Sequence, residues 1–435
     1  MRLRRHSSLA LALHVLFALF LRTAFAEDSA GRAAKAGTLT VIKGQNVLHL
    51  FGDDVKERGF AHGYFLADKI RDDFDGALTS LPMFGASKFE ARLLPWAKKF
   101  DWDADSAREL QGLYEGMLAR LGADGIKSTV LGRAYTLEDI QAMNVIADYF
   151  GPACSAFSAW GPRTEGGAVV HARNLDFPIG AKPIDDQTLF ASDALPERGS
   201  DREKENRGPA RMGWIGLGWP GLVVQFSGMN SAGVVVCVHD GYNVNSGGKD
   251  GQYIPRGLLL RRILESANPE TAEPAEAAAK LVSVKPVACG NLFHMSWPAA
   301  IAAKYNETPS AVLEFDPADL APRIRRMDES GVLVVTNHFR KLNQPVACER
   351  FTALTNGLEA YKSAAKKIGI GEARRLLISA EQPVAAHSIY FFPDTLDFQF
   401  AETKDNVMSP HVPPTAFSYK EVFEKEALEH AAASR

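Results

Sequence analysis

The sequence predicts an α+β fold in which antiparallel sheets carry helices on their outer faces. Helical patterns fill most of the chain up to residue 150. The composition changes at Gly151-Pro152, and the short runs after it are rich in Val, Gly and Phe, as strands are. Beyond that point strands and helices come in consecutive groups, which favours antiparallel sheets over the alternating pattern of a parallel sheet.

The chain before residue 150 begins with a predicted hairpin. Residues 38–42 and 47–51 have strand-like patterns, and 44–46 supply turn residues between them. The spacing of apolar residues then predicts helices over 55–77, 104–121 and 137–149. Thr136 and Asp139 have the capping-box spacing at the start of the last of these helices.

The chain after residue 152 is predicted to carry both sheets. The predicted strands are 167–173, 212–217, 221–227, 233–239, 309–315, 331–336, 388–392 and 397–401. The predicted helices are 254–267, 272–283, 355–367, 371–379 and 419–432. The polar stretch 198–208 is expected to be a solvated surface loop.

The composition restricts the class of protein. With 435 residues, 46% of them hydrophobic and 23% charged, the chain has the make-up of a folded globular protein. Its 49 basic and 52 acidic residues argue against a nucleic-acid-binding protein, which would carry a basic excess. Four cysteines are too few for a disulfide scaffold. No CxxC, HxxxH or HExxH spacing occurs, so neither a metal nor a cofactor is expected.

The first 26 residues have the pattern of a secretory signal peptide. Arg2, Arg4 and Arg5 form a basic start, an apolar run covers 9–20, and Ala24-Phe25-Ala26 supplies small residues at a cleavage point. The apolar run is shorter than a membrane span, although an uncleaved anchor is the alternative. Removing 1–26 takes away four arginines and no acid, which leaves a net charge of −7. The mature chain is therefore expected to be periplasmic or secreted, without a stable membrane span.

Cys154 stands where the composition changes, and it is a candidate nucleophile. A thiol needs a nearby base or cation to react well, and Arg173 and Asp176 follow on the next strand-like run. Residues three apart on a straight strand face opposite sides, so these two share a site only if the strand ends or bulges between them. The alternatives are a structural cysteine and a local ion pair.

Two further polar clusters could belong to the same site. The amide of Asn230, in the stretch 226–233, could donate hydrogen bonds to a developing oxyanion, or it could simply form a hairpin turn. Asn337 and His338 end a hydrophobic strand, where they could serve a site or cap the strand. Arg350 follows shortly after them.

Together these clusters resemble the N-terminal-nucleophile hydrolases. The resemblance is carried by Cys154-Ser155, Arg173-Asn174-x-Asp176, Gly228-Met-Asn230, Thr336-Asn337 and Glu349-Arg350. The branch they resemble most is the acyl-coenzyme A:isopenicillin N acyltransferase group, with choloylglycine hydrolases and phospholipase B-like proteins as relatives. The resemblance runs from about 55 to 400 and includes the glycine-bearing segment 57–63. Ser155 stands where the isopenicillin enzymes carry threonine.

The resemblance implies a four-layer αββα sandwich that is made as an inactive precursor. Cys154 would attack the Ala153 carbonyl and cut the chain into a helical pro-segment, 27–153, and a catalytic chain, 154–435, which stay associated. The new α-amino group of Cys154 would then act as the general base, since such groups titrate at about 7.7–8.0. By the same analogy, Arg173 and Asp176 orient the nucleophile.

The resemblance also assigns the remaining site residues and the substrate. Asn230 and Asn337 would hold the oxyanion, and Arg350 would support the site. Phe157, Trp160 and Phe177 are expected to line an apolar acyl pocket, with Trp214 and Trp219 as further candidates, although such aromatics are commonly core residues. The expected reaction is hydrolysis of a small-molecule N-acyl amide through a thioester. Ester hydrolysis and acyl transfer share that intermediate.

Two other interpretations of the sequence compete with this one. A papain-like hydrolase would pair Cys154 with His338, but the sequence around Cys154 lacks the Cys-Gly-Ser-Cys-Trp motif that is usual at the catalytic cysteine of such enzymes. A secreted binding protein without chemistry would use its cysteines structurally, pairing Cys237 with Cys289 or Cys348.

Overall fold

The computed structural model describes residues 28–80, 85–151, 153–177, 187–197, 210–242, 252–284, 286–328 and 330–423. The expected signal peptide 1–26, the polar stretch 198–208 and residues 424–432 of the last predicted helix lie outside the described residues. None of the helices in the described ranges combines the length and apolar character that crossing a bilayer requires.

Fifteen strands in the described ranges form two sheets. The nine-stranded sheet has the order β1-β2-β5-β6-β7-β8-β9-β10-β11, and the six-stranded sheet has the order β12-β3-β4-β13-β14-β15. All neighbouring pairs are antiparallel except β2 and β5. The strands are β1 Gly37–Ile42, β2 Gln45–Leu50, β3 Ala153–Ala159, β4 Val170–Asp176, β5 Thr188–Ser192, β6 Trp214–Gly218, β7 Ser227–Asn230, β8 Val235–Gly241, β9 Gly290–Ser296, β10 Ser310–Phe315, β11 Arg323–Arg325, β12 Val332–Val335, β13 Ala385–Phe392, β14 Asp397–Glu402 and β15 Thr415–Ser418.

The helices fall into two groups, one before β8 and one after it. The principal helices are α1 Val55–Phe65, α2 Ala67–Ser80, α3 Ala104–Gly125, α4 Leu137–Asn144, α5 Ile146–Tyr149, α6 Arg256–Ser266, α7 Pro274–Val282, α8 Ala299–Tyr305, α9 Glu349–Ser363, α10 Ile370–Ser379 and α11 Tyr419–Phe423. Shorter helical turns cover Ala86–Lys88, Phe89–Leu93, Leu94–Ala97, Gly161–Arg163, Glu165–Gly167 and Ser409–His411.

The buried apolar residues divide the molecule into four layers, which confirms the predicted αββα sandwich. Leu189 and Ile215 of the nine-stranded sheet pack against Ile389 and Phe398 of the six-stranded sheet. The other face of the nine-stranded sheet packs against α1–α7. The other face of the six-stranded sheet packs against α9 and α10. Each sheet therefore buries both faces, which is why many of its strands are nearly continuous apolar runs.

The N-terminal hairpin joins the nine-stranded sheet instead of standing apart with the helices. Strand β2 pairs in parallel with β5, with Val47 opposite Leu189 and Leu50 opposite Ser192. The turn of this hairpin consists of Lys43 and Gly44 alone, at φ of 52° and 84°, so the turn predicted at 44–46 begins one residue too late and ends two residues too late. Two positive φ angles in a two-residue loop match the twist of the strands it joins.

Helices α1 and α3 approach each other unusually closely because glycines face glycines. A Cβ atom added to Gly59 or Gly63 of α1 would lie about 2 Å from the backbone carbonyl oxygens of Glu109 and Leu113 in α3. Gly112 and Gly116 of α3 are equally close to the backbone of α1. The glycines of the segment 57–63 are therefore explained by helix packing.

Several predicted elements need correction. The helix predicted over 55–77 is two helices separated at Leu66, and the strand predicted over 221–227 starts only at Ser227. The prediction contains no counterpart of five strands: β3, β5, β9, β11 and β15. The capping box of Thr136 and Asp139 is confirmed by hydrogen bonds in both directions.

Candidate active site

Strands β3 and β4 place Cys154 and Arg173 on the face of the six-stranded sheet that meets the other sheet. They pair antiparallel, with Cys154 opposite Leu175 and Ala156 opposite Arg173. Both Cys154 and Arg173 are fully buried. Arg173 Nη2 lies 2.9 Å from Cys154 Sγ, and Sγ is 3.7 Å from the carbonyl oxygen of Val238 in β8.

The guanidinium of Arg173 is fixed by further acceptors. Its Nη1 donates to Ser227 Oγ at 2.6 Å and to the carbonyl oxygen of Phe226. Its Nη2 donates to the carbonyl oxygen of Val238 at 2.9 Å. Burial raises the pKa of the Cys154 thiol, while the charge of Arg173 opposes that effect. The arginine therefore favours the thiolate at a position where the protein interior alone would disfavour it.

The backbone of Cys154 is held by two other side chains. Its N–H donates to Asn337 Oδ1 at 2.7 Å, and its carbonyl oxygen accepts from Arg350 Nη1 at 2.5 Å. Arg350 Nη2 also donates to Asn337 Oδ1 at 2.8 Å. Asn337 Nδ2 donates to the carbonyl oxygen of Asp240 at 3.0 Å. The nitrogen, the carbonyl and the thiol of Cys154 are thus each bound by a different polar side chain.

Asp176 joins this cluster from the opposite face of β4. It is the last residue of the strand and pairs with Ala153, the residue before Cys154. Its Oδ2 lies 3.4 Å from Arg350 Nη1. Burial raises the pKa of the Asp176 carboxyl to about 7. Oδ1 of this carboxylate makes no hydrogen bond with any described residue. The strand does end at Asp176, as a shared site requires, and Arg350 bridges the two faces.

The structure therefore brings together five of the six predicted catalytic residues: Cys154, Arg173, Asp176, Asn337 and Arg350. Asn337 differs from the expectation in its role. Its Oδ1 accepts hydrogen bonds from Cys154 and Arg350, and its Nδ2 donates to Asp240. In this state the amide holds the backbone nitrogen of Cys154, which is not the oxyanion-binding role that the sequence suggested.

Asn230 lies outside the cluster, which contradicts its predicted role in holding the oxyanion. It stands three residues along β7 from Ser227, about 10 Å away. Its Nδ2 donates to the carbonyl oxygens of Leu264 and Ala267 at the end of α6. Its Oδ1 accepts from two backbone N–H groups of the following turn. The side chain therefore caps a helix and shapes a turn.

The predicted acyl-pocket aromatics separate into two sets. Phe157 packs against α9 and α10 on the far face of the six-stranded sheet. Trp160 follows the last residue of β3, at the end of the strand away from Cys154, and packs with Val169 and Leu333. Both are core residues, so their substrate-binding assignment is wrong.

Trp214 also stands apart, since its ring faces the guanidinium of Arg261. Phe177 and Trp219 instead line an apolar crevice that includes Leu175, the β4 residue opposite Cys154. Trp219 also borders a second apolar crevice beneath α2 and α4.

The competing interpretations find no support in the geometry. Cys154 Sγ hydrogen-bonds with Arg173 and with the carbonyl oxygen of Val238. His338 packs edge-on against Tyr242, with ring centroids 5.7 Å apart. No disulfide links any of the four cysteines, all of which lie in the described ranges.

Sequence reasoning missed two groups at the site, Ser227 and Asp240. Ser227 binds Arg173 through its hydroxyl, and the carbonyl oxygen of Asp240 binds Asn337. Ser227 lies in the stretch 226–233, which also contains Asn230. This stretch does supply a residue of the site, but that residue is Ser227 and not Asn230. Within the described ranges, no group of three His, Cys, Asp or Glu side chains converges so as to hold a metal ion.

No protein-family model matches the chain, and no curated protein matches it in sequence. Solved structures similar to it include a Caenorhabditis elegans N-acylethanolamine-hydrolyzing acid amidase ortholog, with 14% identity over 55% of this chain and 93% of that one, at a TM-score of 0.39. A conjugated bile acid hydrolase from Clostridium perfringens gives 13% identity over 61% and 92% of the two chains, at a TM-score of 0.41. Penicillin V acylase from Agrobacterium tumefaciens gives 16% identity over 61% and 85%, at a TM-score of 0.37.

With TM-scores below 0.5, no conclusion about the substrate or the catalytic residues of this chain follows from the likeness.

Proposed function

We propose that this chain is a self-processing amidohydrolase whose nucleophile is Cys154. It cuts its own backbone between Ala153 and Cys154, and the cut enzyme hydrolyses a small-molecule N-acyl amide. The observation that carries the proposal is the convergence on Cys154: Arg173 binds the thiol, Asn337 the nitrogen and Arg350 the carbonyl oxygen. A buried structural cysteine needs none of these three contacts.

The first reaction is the cut. Cys154 Sγ attacks the carbonyl carbon of Ala153, the bond from that carbon to the Cys154 nitrogen breaks, and the acyl group moves to sulfur. The thiol proton ends on the departing nitrogen. Water then hydrolyses the thioester, leaving a carboxylate on Ala153 and a free α-amino group on Cys154. Asn337 Oδ1 accepts a hydrogen bond from that nitrogen before the cut and keeps the amine beside the thiol afterwards.

The second reaction uses the new amine as a base. An α-amino group titrates at about 7.7–8.0, close enough to neutrality to accept the thiol proton. The thiolate attacks the amide carbonyl of the substrate, and the leaving amine takes a proton from the α-ammonium group. Water then releases the acid from the thioester. Arg173 favours the thiolate in both reactions because its guanidinium contacts Sγ directly.

We place an apolar acyl group beside Leu175, in a crevice that is closed in this state, with no room for a water molecule, and that must open to admit the substrate. Phe177, Trp219 and Phe226 line it, and none of its lining residues is charged. We favour hydrolysis over transfer to another acceptor because the proposed signal peptide 1–26 directs the enzyme to the periplasm or outside the cell. Water is available there, whereas a coenzyme A supply is not.

The two chains are proposed to stay together after the cut. The small chain supplies β1 and β2 to the nine-stranded sheet and α1–α5 to the helical layer on it. Ion pairs also cross between the chains. Arg261 Nη1 lies 2.8 Å from Glu109 Oε2, and Arg262 Nη2 lies 2.8 Å from Asp103 Oδ1. Both pairs join α6 of the large chain to α3 or its N-cap in the small chain.

The experiment that tests the proposal is intact-mass analysis with N-terminal sequencing of the purified protein, wild type beside Cys154→Ala. The cut yields a small chain, 27–153, and a large chain, 154–435, whose masses are read directly from the sequence. We expect both fragments in the wild type, the larger beginning Cys-Ser-Ala-Phe, and a single uncut chain in the variant. Fragments at another junction, or an uncut wild type with full amidase activity, would refute self-processing.

A further inference from the structure

A second buried polar cluster lies beside the cleavage site, on the helix-covered face of the nine-stranded sheet. Arg256, the first residue of α6, is fully buried. Its Nη1 forms an ion pair with Asp240 Oδ1 at 2.7 Å. Its backbone N–H donates to Asp148 Oδ1 at 2.9 Å, and its Nε lies 3.6 Å from the same oxygen. Its Nη2 also donates to Cys289 Sγ. The two carboxylates compensate a guanidinium that would otherwise be a costly buried charge.

This cluster is continuous with the candidate active site through Asp240. The side chain of Asp240 belongs to the cluster, while its carbonyl oxygen accepts the hydrogen bond from Asn337. Asn337 in turn binds the nitrogen of Cys154. Asp148, at the other end of the cluster, belongs to α5 and shortly precedes Ala153 in the chain.

The backbone just before the cut passes directly against Asp240. A Cβ atom added to Gly151 would lie 1.6 Å from Asp240 Oδ2 and 2.2 Å from its Cγ. Those separations are far below van der Waals contact, so a methyl group here would have to displace either the chain or this carboxylate, which the ion pair with Arg256 holds. Asp148 and Gly151 therefore fix both ends of the stretch that leads to Ala153.

We infer that Asp148, Arg256 and Asp240, with Gly151 as the residue they accommodate, are positioning residues for the self-cleavage. The inference rests on the proposed function. Attack by Cys154 requires the Ala153 carbonyl to be held close to the thiol in a reactive orientation, and a misplacement of about 1 Å can cost 10²-fold in rate. The contacts described for the cluster reach no reacting atom, so it acts by holding the stretch from Asp148 to Gly151 in place.

The test compares rates of cutting in the full chain. Gly151→Ala is expected to cut about 10²-fold more slowly than wild type, because the added methyl group displaces the chain from Asp240. Gly371→Ala is the matched control, since its added methyl group would meet only the far end of Arg375, at 3.7 Å. It should cut at the wild-type rate. Once cut, Gly151→Ala should show the wild-type kcat on an N-acyl amide, which a general structural defect would not allow.

A double-mutant cycle completes the test. Asp240→Ala alone is expected to slow the cut, and combining it with Gly151→Ala should slow the cut no further, because the methyl group then meets no carboxylate. Gly151→Ala cutting at the wild-type rate, or two effects that simply add, would overturn the inference while leaving the proposed function intact. A wild type that never cuts would overturn both.

Discussion

Arg173 and Cys154 form a contact between two fully buried side chains, with Nη2 2.9 Å from Sγ. The guanidinium reaches the thiol only because three other acceptors, Ser227 Oγ and the carbonyl oxygens of Phe226 and Val238, hold it in place. The planar fork of arginine can satisfy all of these acceptors at once.

Arg173→Lys is expected to slow the cut by about 10²–10³-fold, the usual cost of losing one donor at a reacting group. Lysine keeps the charge, but a single ammonium group cannot serve the thiol and the three fixed acceptors together. The half-time of cutting, followed by intact mass, measures the effect. Arg163→Lys is the control, because Arg163 is also buried but binds the carbonyl oxygen of Leu358 in another layer. Equal half-times for the two variants would show that Arg173 does not assist the thiol.

Asn230→Ala distinguishes a role of Asn230 in binding the oxyanion from a role in stabilising the fold. The sequence resemblance suggests an oxyanion donor, whose loss would reduce turnover by about 10²–10³-fold without affecting stability. The structure predicts the reverse. Removing the amide leaves the carbonyl oxygens of Leu264 and Ala267 unsatisfied, so stability should fall by about 1–3 kcal/mol while the folded enzyme keeps its kcat. Urea unfolding and steady-state kinetics on the same preparation distinguish the two outcomes.

The predicted and observed positions of Asn230 differ, and this shows which parts of the site can be predicted from the sequence and which cannot. Arg173, Asp176 and Asn337 were recognisable because polar residues interrupt or end apolar runs at these positions. Their relative placement was not recognisable, since it depends on pairing between β3 and β4 and on Arg350, which is distant from Cys154 in the sequence. The residues around Asn230 in the sequence cannot show whether its amide points into the candidate active site or towards the end of a helix.

The fold was predictable to a similar extent. The grouping of strands and helices indicated antiparallel sheets with outer helices, and the capping box marked the start of α4. Strand β3 escaped detection because Ala153–Ala159 is made mostly of small residues with no alternating pattern. The N-terminal hairpin joins the nine-stranded sheet because β2 pairs with β5. This pairing was not predictable, since the whole helical section of the chain lies between the two strands in the sequence.

The cut is expected to depend on pH through Asp176. Burial raises the pKa of this carboxyl to about 7 from an ordinary 3.8, so it is largely protonated at pH 6 and ionised at pH 8. Ionised Asp176 pairs with Arg350, which binds the carbonyl oxygen of Cys154, so the rate of cutting should rise as pH increases through about 7. Asp176→Asn should cut slowly and lose that inflection, keeping only a rise at higher pH from the thiol itself. Asp319→Asn, at a partly exposed carboxylate paired with Arg323, is the control and should keep the wild-type profile.

The raised pKa of Asp176 also determines how the stability of the folded chain changes with pH. Between pH 3.8 and about 7 the folded chain holds a proton on Asp176 that the unfolded chain releases. The contribution of this group to the free energy of unfolding therefore falls as pH rises through that window. An Asp176→Asn chain that shows the same inflection near pH 7 as wild type would remove Asp176 from the mechanism.

Gly112→Ala should destabilise the protein, although replacing glycine by alanine usually stabilises a helix. Alanine normally favours a helix over glycine by about 1 kcal/mol. At Gly112, however, the added methyl group would lie 2.0 Å from the carbonyl oxygen of Lys56 in α1. Separating the two helices should cost about 1–3 kcal/mol. Thermal or urea unfolding measures the change, with Gly371→Ala as the control that should be neutral or slightly stabilising. A Gly112→Ala protein as stable as that control would show that α1 and α3 can move apart freely.

Glu109→Gln should weaken the association of the two cut chains. Glu109 and Arg261 form a buried pair that joins the small chain to the large one. Without the Glu109 charge, Arg261 keeps only its pair with Glu265 in the large chain, so the loss should cost about 1–3 kcal/mol. The cut wild type should elute from a sizing column as one species even at high salt, because salt screens buried pairs poorly. Glu109→Gln should separate into its chains at a lower urea concentration.

Lys43→Gln is the matched control for that measurement. Lys43 also pairs across the cut, with Glu421, but both side chains are solvent-accessible, so its loss should cost no more than about 1 kcal/mol. If Lys43→Gln and Glu109→Gln separate at the same urea concentration as wild type, the buried pair of Glu109 and Arg261 does not hold the chains together. The shared sheet and the α1–α3 layer packed on it would then have to account for the association.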